Sequence, residues 1–449
     1  MSERALLTGW GRTAPTAADV SHVSADAEAV SGAVRRAGER GLLARGLGRS
    51  YGDAAQNAGG DVLLLDRDQQ LWLDRDAALV HVDAGVSLDR LIRELLPDGF
   101  FVPVTPGTRF VTVGGAIAAD IHGKNHHVDG SFGRHVVRMT LVTADGEARD
   151  LTPDETPELF WATVGGMGLT GVITSAVLRV RPVESAYIRV DTDRTSNLAE
   201  LVDVMRRTDD DYTYSVAWID LLAKGSSLGR AVLTRGEHAT TAELSERAAS
   251  RPLAFGGGQR LRAPRWAPEH VMNHWSVKAF NEVWFQKAPR TRRGEITHLA
   301  GFFHPLDGVG DWNRLYGRRG LVQYQFVVPP DADEALTEAV RRIADAGHAS
   351  FLAVLKRFGP GNPGLLSFPR EGWTLALDLP ADPGLASLLD RLDALVVEAG
   401  GRIYLAKDAR ARPETLRQMY PRLAEFQEVR RQVDPDGVFT SDLARRLDL

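Results

Sequence analysis

At 449 residues the chain is too long for one ordinary hydrophobic core, so two domains or one interrupted pair is the expectation. Its 43% hydrophobic and 25% charged residues exclude a disordered, collagen-like or coiled-coil protein. A net charge of -5 argues against a general nucleic-acid binder, and the absence of cysteine removes disulfides, thiolate metal sites and cysteine nucleophiles together.

In chain order, residues 24–40 carry Ala27, Val30, Val34 and Ala37 at helical spacing, with Ser24 as N-cap and Gly41 as stop. LLARGLG (42–48) reads as a short strand running into a glycine-rich loop, ARGLGRSYGDAAQNAGG (44–60). DVLLLD (61–66) and ALVHVDAG (78–85) read as buried strands, and SLDRLIRELLPDG (87–99) as a helix capped by Ser87 and ended by Pro97-Asp98-Gly99. A second glycine cluster, TPGTRFVTVGGAIAADIHGKNHH, occupies 105–127. Residues 135–151 predict a hairpin across Asp145-Gly146, with Val137, Met139, Leu141 and Thr143 on one face. A short helix at 157–166 and a β-branched strand at 171–183 follow.

Near residue 185 the texture changes. Amphipathic helices at 197–208 and 333–348 alternate with strands at 213–221, 321–329, 351–359 and 374–380, which suits an antiparallel sheet flanked by helices. Residues 236–265 are polar with a Gly-Gly-Gly run and are expected to be mobile. The last segment is strand, turn and helices. The fold class is α+β, with units 1–184 and 185–400 and a C-terminal segment 401–449 that returns to the first unit.

GMGLTG (166–171) matches G-x-G-x-x-G, but it follows a helical stretch and leads into a strand, so the dinucleotide-binding reading fails on context. No Walker, kinase, hydrolase-elbow or H-E-x-x-H pattern is present. The 44–60 loop is different in kind. Its closely spaced glycines let backbone N–H groups converge on an anion, to which Arg49 adds a guanidinium; tight turns between strands are the bland alternative. His122, His126 and His127 have spacing that can ligate zinc on a helix, but Gly123 argues against a helix, and no metal is expected. Gln323 and Gln325 share one strand face, where two amides suit hydroxyl and phosphate oxygens unless that face is simply solvated. Lys407 follows a strand at 402–405, where an exposed strand-end lysine is the ordinary alternative. From Arg251 to Arg293, nine Lys/Arg stand against two acids, an excess suited to a phosphate, an anionic membrane surface or plain solvation. The N-terminus lacks a signal-peptide pattern and no run reaches the roughly 18–20 apolar residues of a span, so a soluble or peripheral protein starting in the cytoplasm is expected.

RGLGRSYGD, TPGT with TVGG and DIHGKNHH, GGMGLTGVIT and IYLAKDAR together resemble the vanillyl-alcohol-oxidase-type (PCMH-type) FAD-binding family. The likeness runs nearly end to end, through LTGWGRTAP, VQYQFVVP, LKRFGPGN, LSFP and VFTSDLARRL, and is greatest to its polyprenyl-phosphoryl ribose oxidases. It implies an interrupted FAD-binding domain of two subdomains and a substrate domain covering the flavin. It further implies that Ala44, Arg45, Gly46, Leu47, Gly48, Arg49, Ser50, Tyr51, Gly52, Asp53 and Ala54 line the pyrophosphate and flavin side. Gly107, Thr112, Val113, Gly114, Gly115, Ala119, Asp120, Ile121 and His122 would line the rest, with Ile173 near the adenine half and Tyr404 beside the flavin. Lys407, His122 and Tyr51 are implied as catalytic, and Lys124, Trp218, Gln323, Gln325, Lys356, Ala376 and Lys407 as substrate-binding.

Sugar oxidases of this family often tether flavin through a histidine in the first loop; Arg49 fills that slot here, so the FAD is expected to be non-covalent. At Ala376 relatives often have cysteine, so cysteine-directed inhibitors are expected to fail while activity survives. The expected activity is oxidation of the 2′-hydroxyl of decaprenylphosphoryl ribose to the 2′-keto sugar, the first half of an epimerisation serving cell-wall arabinan synthesis. The partners implied are a quinone-like electron acceptor, a separate NAD(P)H-dependent keto reductase and a membrane surface, on the cytoplasmic or the cell-envelope side. The competing expectations are a soluble alditol, aldose or lactone oxidase of the same fold, or a non-catalytic flavin-fold partner.

Overall fold

The computed structural model describes residues 2–66, 70–259, 261–264, 273–348 and 350–449. The N-terminal part holds a four-stranded sheet in the spatial order Glu3–Leu7, Thr16–Val23, Asp61–Leu65, Leu42–Ala44, antiparallel in its first pair and parallel in the rest. Helix Ala27–Arg35 buries Val30 and Val34 in this part. Its N-cap is Asp26, whose carboxylate accepts from the Ala29 amide at 3.2 Å, and not Ser24 as the spacing suggested. A carboxylate at that position also meets the positive end of the helix dipole, which a hydroxyl does less well.

A five-stranded antiparallel sheet follows, ordered Leu71–Asp74, Leu79–Asp83, Val172–Arg179, Val136–Val142, Ala148–Leu151. The strand at Leu71–Asp74 was not anticipated; at four residues with polar neighbours it carries too little pattern. The hairpin forms where expected, with Gly146 at φ +78°. The register shifts between Val177 and Leu178, however, so Val136 takes the core position that strict alternation gives to Val137. The C-terminus closes this part of the molecule, since Leu42 N–H donates to Val438 at 2.7 Å and Thr440 N–H to Leu42 at 3.1 Å.

The remainder is built on an eight-stranded antiparallel sheet, ordered Thr291–His298, Tyr187–Thr195, Ala231–His238, Tyr214–Ile219, Ala353–Phe358, Gly372–Pro380, Leu321–Val328, Arg402–Ile403. Helices Asp333–Ala346 and Leu385–Glu398 cover one face, burying Leu336, Val340, Ile343, Leu388, Leu389 and Leu392. Each such side chain removed from water contributes ~2 kcal/mol. The other face is turned toward the N-terminal part, and the polar residues discussed below lie on it.

Residues 236–259, expected to be mobile, take defined structure instead. They include the end of strand Ala231–His238 and a short helix, Glu246–Ala249. The Pro252 carbonyl accepts from Ala186 N–H at 2.7 Å, and the Gly257 carbonyl accepts from Arg93 at 2.8 Å and Arg109 at 2.5 Å. The glycine run is a latch point for two arginines. Of the basic stretch, Arg260 and Arg265 lie outside the described residues, as does Glu269. No helix among the described residues is long and apolar enough to cross a membrane.

Candidate active site

Register places the expected substrate residues together. Trp218 lies opposite Val354, Val354 opposite Ala376, and Ala376 opposite Gln325. Lys356 faces Thr374 and Gln323 faces Asp378 across the same strands. Directly opposed residues share a face, as do alternate residues along a strand. Trp218, Lys356, Ala376, Gln323 and Gln325 therefore occupy one face of the sheet, joined by Thr374 and Asp378. This face is not solvated: Gln323, Gln325, Lys356, Thr374 and Asp378 are all buried.

Against this face the N-terminal part sets His122. Its Nε2 lies 2.9 Å from Gln325 Nε2 and its Nδ1 lies 3.1 Å from Lys356 Nζ, with Phe358 packed edge-on at 4.7 Å. Burial, and then the charge of Lys356, holds the imidazole well below its usual pKa, so it is neutral and has one N–H. Burial also brings Lys356 down to about 7, with the charges of Lys124 and Lys407 acting in the same direction. Two protonation patterns satisfy the trio. With Lys356 charged, Nδ1 accepts and Nε2–H donates to a Gln325 carbonyl; with Lys356 neutral, Nδ1–H donates to the amine and Nε2 accepts from the amide.

Lys124 donates to the Phe302 carbonyl at 2.5 Å and lies 4.1 Å over the Phe302 ring, and burial lowers its pKa to about 7. His127 bonds through Nε2 to the carbonyls of Asp209 (3.0 Å) and Tyr212 (2.9 Å), joining the two parts of the molecule. Helix His126–Asp129 begins beyond Gly123 and leaves His122 outside it; among the described residues there is no group of three potential metal ligands.

At the end of the sheet, Lys407 Nζ lies 4.2 Å over the Tyr51 ring. Tyr51 is fixed there because its N–H donates to the Ala406 carbonyl at 3.0 Å. Tyr404 donates its hydroxyl to Ala119 at 2.7 Å and stacks on Phe368 at 4.6 Å. Asp378 completes this corner. The Gln323 amide donates to one carboxylate oxygen, and the other has no partner among the described residues. Burial pushes Asp378 up to about 7, opposed by the Gln323 bond and by Lys407; burial lowers Lys407 to about 8, opposed by Asp378. Sequence reasoning passed over Asp378 and Thr374. The available signal was a carboxylate in the middle of TLALDL, an otherwise apolar strand where a charge is costly without a purpose.

Some positions expected to line the cofactor lie against one another, although several side chains act differently from expectation. Gly46 lies against Thr112, so close that a Cβ there would come within 2.3 Å of the hydroxyl. Gly52 lies against the Asp408 carbonyl, where a Cβ would come within 1.9 Å, and the space beside Gly107 is open. Thr112 caps a helix, Val113–Ala118, accepting from Gly115 N–H at 3.2 Å; Gly114 and Gly115 are therefore helical, which corrects the loop-only reading of the second cluster. Arg45 spends its guanidinium on the carbonyls of Ala55 and Thr8 (the latter at 2.8 Å). Arg49 stacks 3.8 Å over Trp10 and donates to the Phe110 carbonyl at 3.2 Å. Both arginines brace the loop through these side-chain contacts. Asp53 is clasped by Arg446 at 2.8 and 2.7 Å.

Asp120, at φ +40°, accepts from Ser131 (2.9 Å), Gly133 N–H (2.9 Å), Asn362 (2.8 Å) and Ser367. Val113, Ile121 and Ile173 point into the apolar core, Leu47 is exposed, Ala44 and Ser50 are half-buried, and Ala54 is buried. GMGLTG joins helix Pro157–Thr163 to strand Val172–Arg179, the reverse of the dinucleotide fingerprint.

The residues present fit FAD. A glycine-walled seam with open space beside Gly107 is joined by a corner where buried Lys356 and half-buried Lys124 and Lys407 outnumber one carboxylate, a donor set suited to a group that gains negative charge.

Known proteins agree. A family described as FAD binding domain matches residues 21–152, and one described as D-arabinono-1,4-lactone oxidase matches 381–447, the segment containing Lys407. The chain is 50% identical to the decaprenylphosphoryl-β-D-ribose oxidase of Mycolicibacterium smegmatis, over 99% of this chain and 97% of that one. It is 43% identical to an uncharacterised protein of Streptomyces coelicolor (81% of this chain, 100% of that one) and 24% identical to a Streptomyces alditol oxidase (98% of each). The chain is an FAD-dependent oxidoreductase with a two-part α+β fold, and it belongs to the family of the decaprenylphosphoryl-β-D-ribose oxidases.

Proposed function

We propose that this enzyme oxidises the 2′-hydroxyl of a polyprenyl-phosphoryl ribose to the 2′-keto sugar. The observation that carries the reading is the buried polar face of the sheet, where amides and lysines stand opposite the FAD seam. Gln323 and Gln325 hold sugar hydroxyls, Lys356 and Lys124 meet the phosphate, and Trp218 and Tyr51 form flat walls. FAD, when bound, supplies the acceptor for the C2′ hydride.

The unpaired oxygen of Asp378 takes the hydroxyl proton, and Lys407 stabilises negative charge beside it. His122 keeps Lys356 aimed at the sheet face. A quinone-like compound reoxidises the enzyme, and a separate NAD(P)H-dependent reductase consumes the keto sugar. The flavin is non-covalent, because Arg49 is committed to Trp10 and offers no tethering group.

Mixing the purified protein anaerobically with polyprenyl-phosphoryl ribose is expected to bleach the flavin within one turnover. Bleaching by free alditols or lactones alone, with rapid peroxide release in air, would instead assign it the chemistry of the alditol oxidases. Acid precipitation is expected to leave the yellow colour in the supernatant; colour retained on the pellet would mean a covalent bond.

A further inference from the structure

Helix His274–Lys287 buries only a narrow strip and leaves most of its large apolar side chains exposed. Val277 and Asn281 are its buried residues; Val277 packs with Leu222 and Phe351, and the Asn281 amide donates to Asp220 at 2.8 Å. Trp275 and Val283 lie on the side away from Val277, exposed by 76% and 66%, while Phe280 and Trp284 flank the buried strip and are still exposed by 43% and 47%. Trp275, Ala279 and Val283 form one ridge at four-residue spacing, and Phe280 with Trp284 forms the next, their rings stacked at 5.9 Å. Four large apolar side chains exposed together on one helix of a folded protein mark a surface that meets something.

Its charge and position indicate the occupant. Residues 273–293 hold five Lys/Arg and one acid, Glu282, and that acid is engaged by Arg230 at 2.7 Å. Lys278, Lys287 and Arg290 have no carboxylate partner among the described residues. Tryptophans flanked by unpaired cations suit the boundary of an anionic bilayer, where indole rings settle at headgroup depth and cations meet lipid phosphates. The helix also adjoins the site. Phe280 packs edge-on against Phe351 at 5.9 Å, the Phe351 carbonyl accepts from Trp218 at 3.1 Å, and Phe351 packs on the cluster that contains Tyr51 and Tyr316.

We infer that helix His274–Lys287 is the membrane-docking surface of the enzyme, lying flat on an anionic bilayer with Trp275, Phe280, Val283 and Trp284 inserted, so that a lipid-linked sugar reaches the active site without leaving the membrane. The inference rests on the lipid-linked substrate reading for its purpose, but it is tested separately from it. The holoenzyme is floated with phosphatidylcholine vesicles with or without phosphatidylglycerol, beside the variant Trp275→Ser/Val283→Glu/Trp284→Ser. The wild type is expected to float with the anionic vesicles and the variant to bind roughly tenfold more weakly or less, with flavin content unchanged. Brominated lipids should quench the wild-type tryptophan fluorescence more than that of the variant. Equal flotation of both proteins, or no flotation of the wild type, overturns the proposal. So does sedimentation showing a wild-type dimer that the variant splits, since the face would then serve self-association. Turnover of a water-soluble, short-chain analogue is expected to be the same in both proteins, and a parallel loss in the variant would place the damage in the site and overturn the proposal. If the wild type floats and the variant does not, yet neither is bleached by polyprenyl-phosphoryl ribose, the docking surface stands and the substrate reading falls.

Discussion

Lys407→Ala is expected to slow flavin bleaching by polyprenyl-phosphoryl ribose about 10³-fold, the scale on which removing a charge-stabilising donor from a preorganised site acts. Two effects combine. The ammonium that meets developing negative charge is lost, and with it the cation over the Tyr51 ring. Asp378 also loses the positive charge that holds its pKa down, so more of it is protonated near neutral pH and less of it accepts a proton. Stopped-flow measurement under anaerobic conditions reads the effect directly. The expected signature is a fall in the bleaching rate with FAD content intact and substrate affinity changed far less. Bleaching at the wild-type rate would remove Lys407 from the chemistry.

Asp378→Asn has the next largest expected effect, a fall of about 10²-fold in bleaching rate if the carboxylate is the proton acceptor. Its pH profile separates this role from mere support. In the wild type, Asp378 near 7 and Lys407 near 8 titrate as one coupled pair, so kcat/KM should be bell-shaped, falling as Asp378 is protonated below and as Lys407 is deprotonated above. The asparagine removes the acid limb. It also removes the charge that raises the Lys407 pKa, so the alkaline limb should move to lower pH. An unchanged acid limb would exclude Asp378 as the titrating group, whereas a uniform drop in rate with both limbs in place would mark it as a packing residue.

Part of this site was legible from period two, and other residues of it from the family resemblance. Alternation along 321–329 is enough to put Gln323 and Gln325 on one face, and the register then brings Lys356, Ala376 and Trp218 to the same place. The glycine positions were legible too, because backbone approach excludes any other residue, as where Gly46 meets Thr112. What was not legible is where long side chains end. Arg45 and Arg49 lie in a glycine-rich loop, yet one donates to the carbonyls of Ala55 and Thr8 and the other stacks on a tryptophan 39 residues earlier in the chain. Asp120 looked like a cofactor residue, but its four donors come from residues 131–133 and 362–367, a network that no local pattern encodes. The edge strand Thr291–His298 was missed because TRRGEITH is exposed over most of its length and so carries no alternation.

Among the side chains of the polar face, Gln323, Gln325 and Lys356 are each tied to a partner by a polar contact, and Trp218 bonds the Phe351 carbonyl. Changing any of them breaks a contact within the protein. Ala376 and Val354 are the exceptions, hydrocarbon side chains on the same face with no polar contact to lose. A change at Ala376 can therefore reshape the pocket while the hydrogen bonds around it stay intact. An inhibitor anchored to whatever side chain a relative carries there holds a part of the site that the enzyme can readily discard.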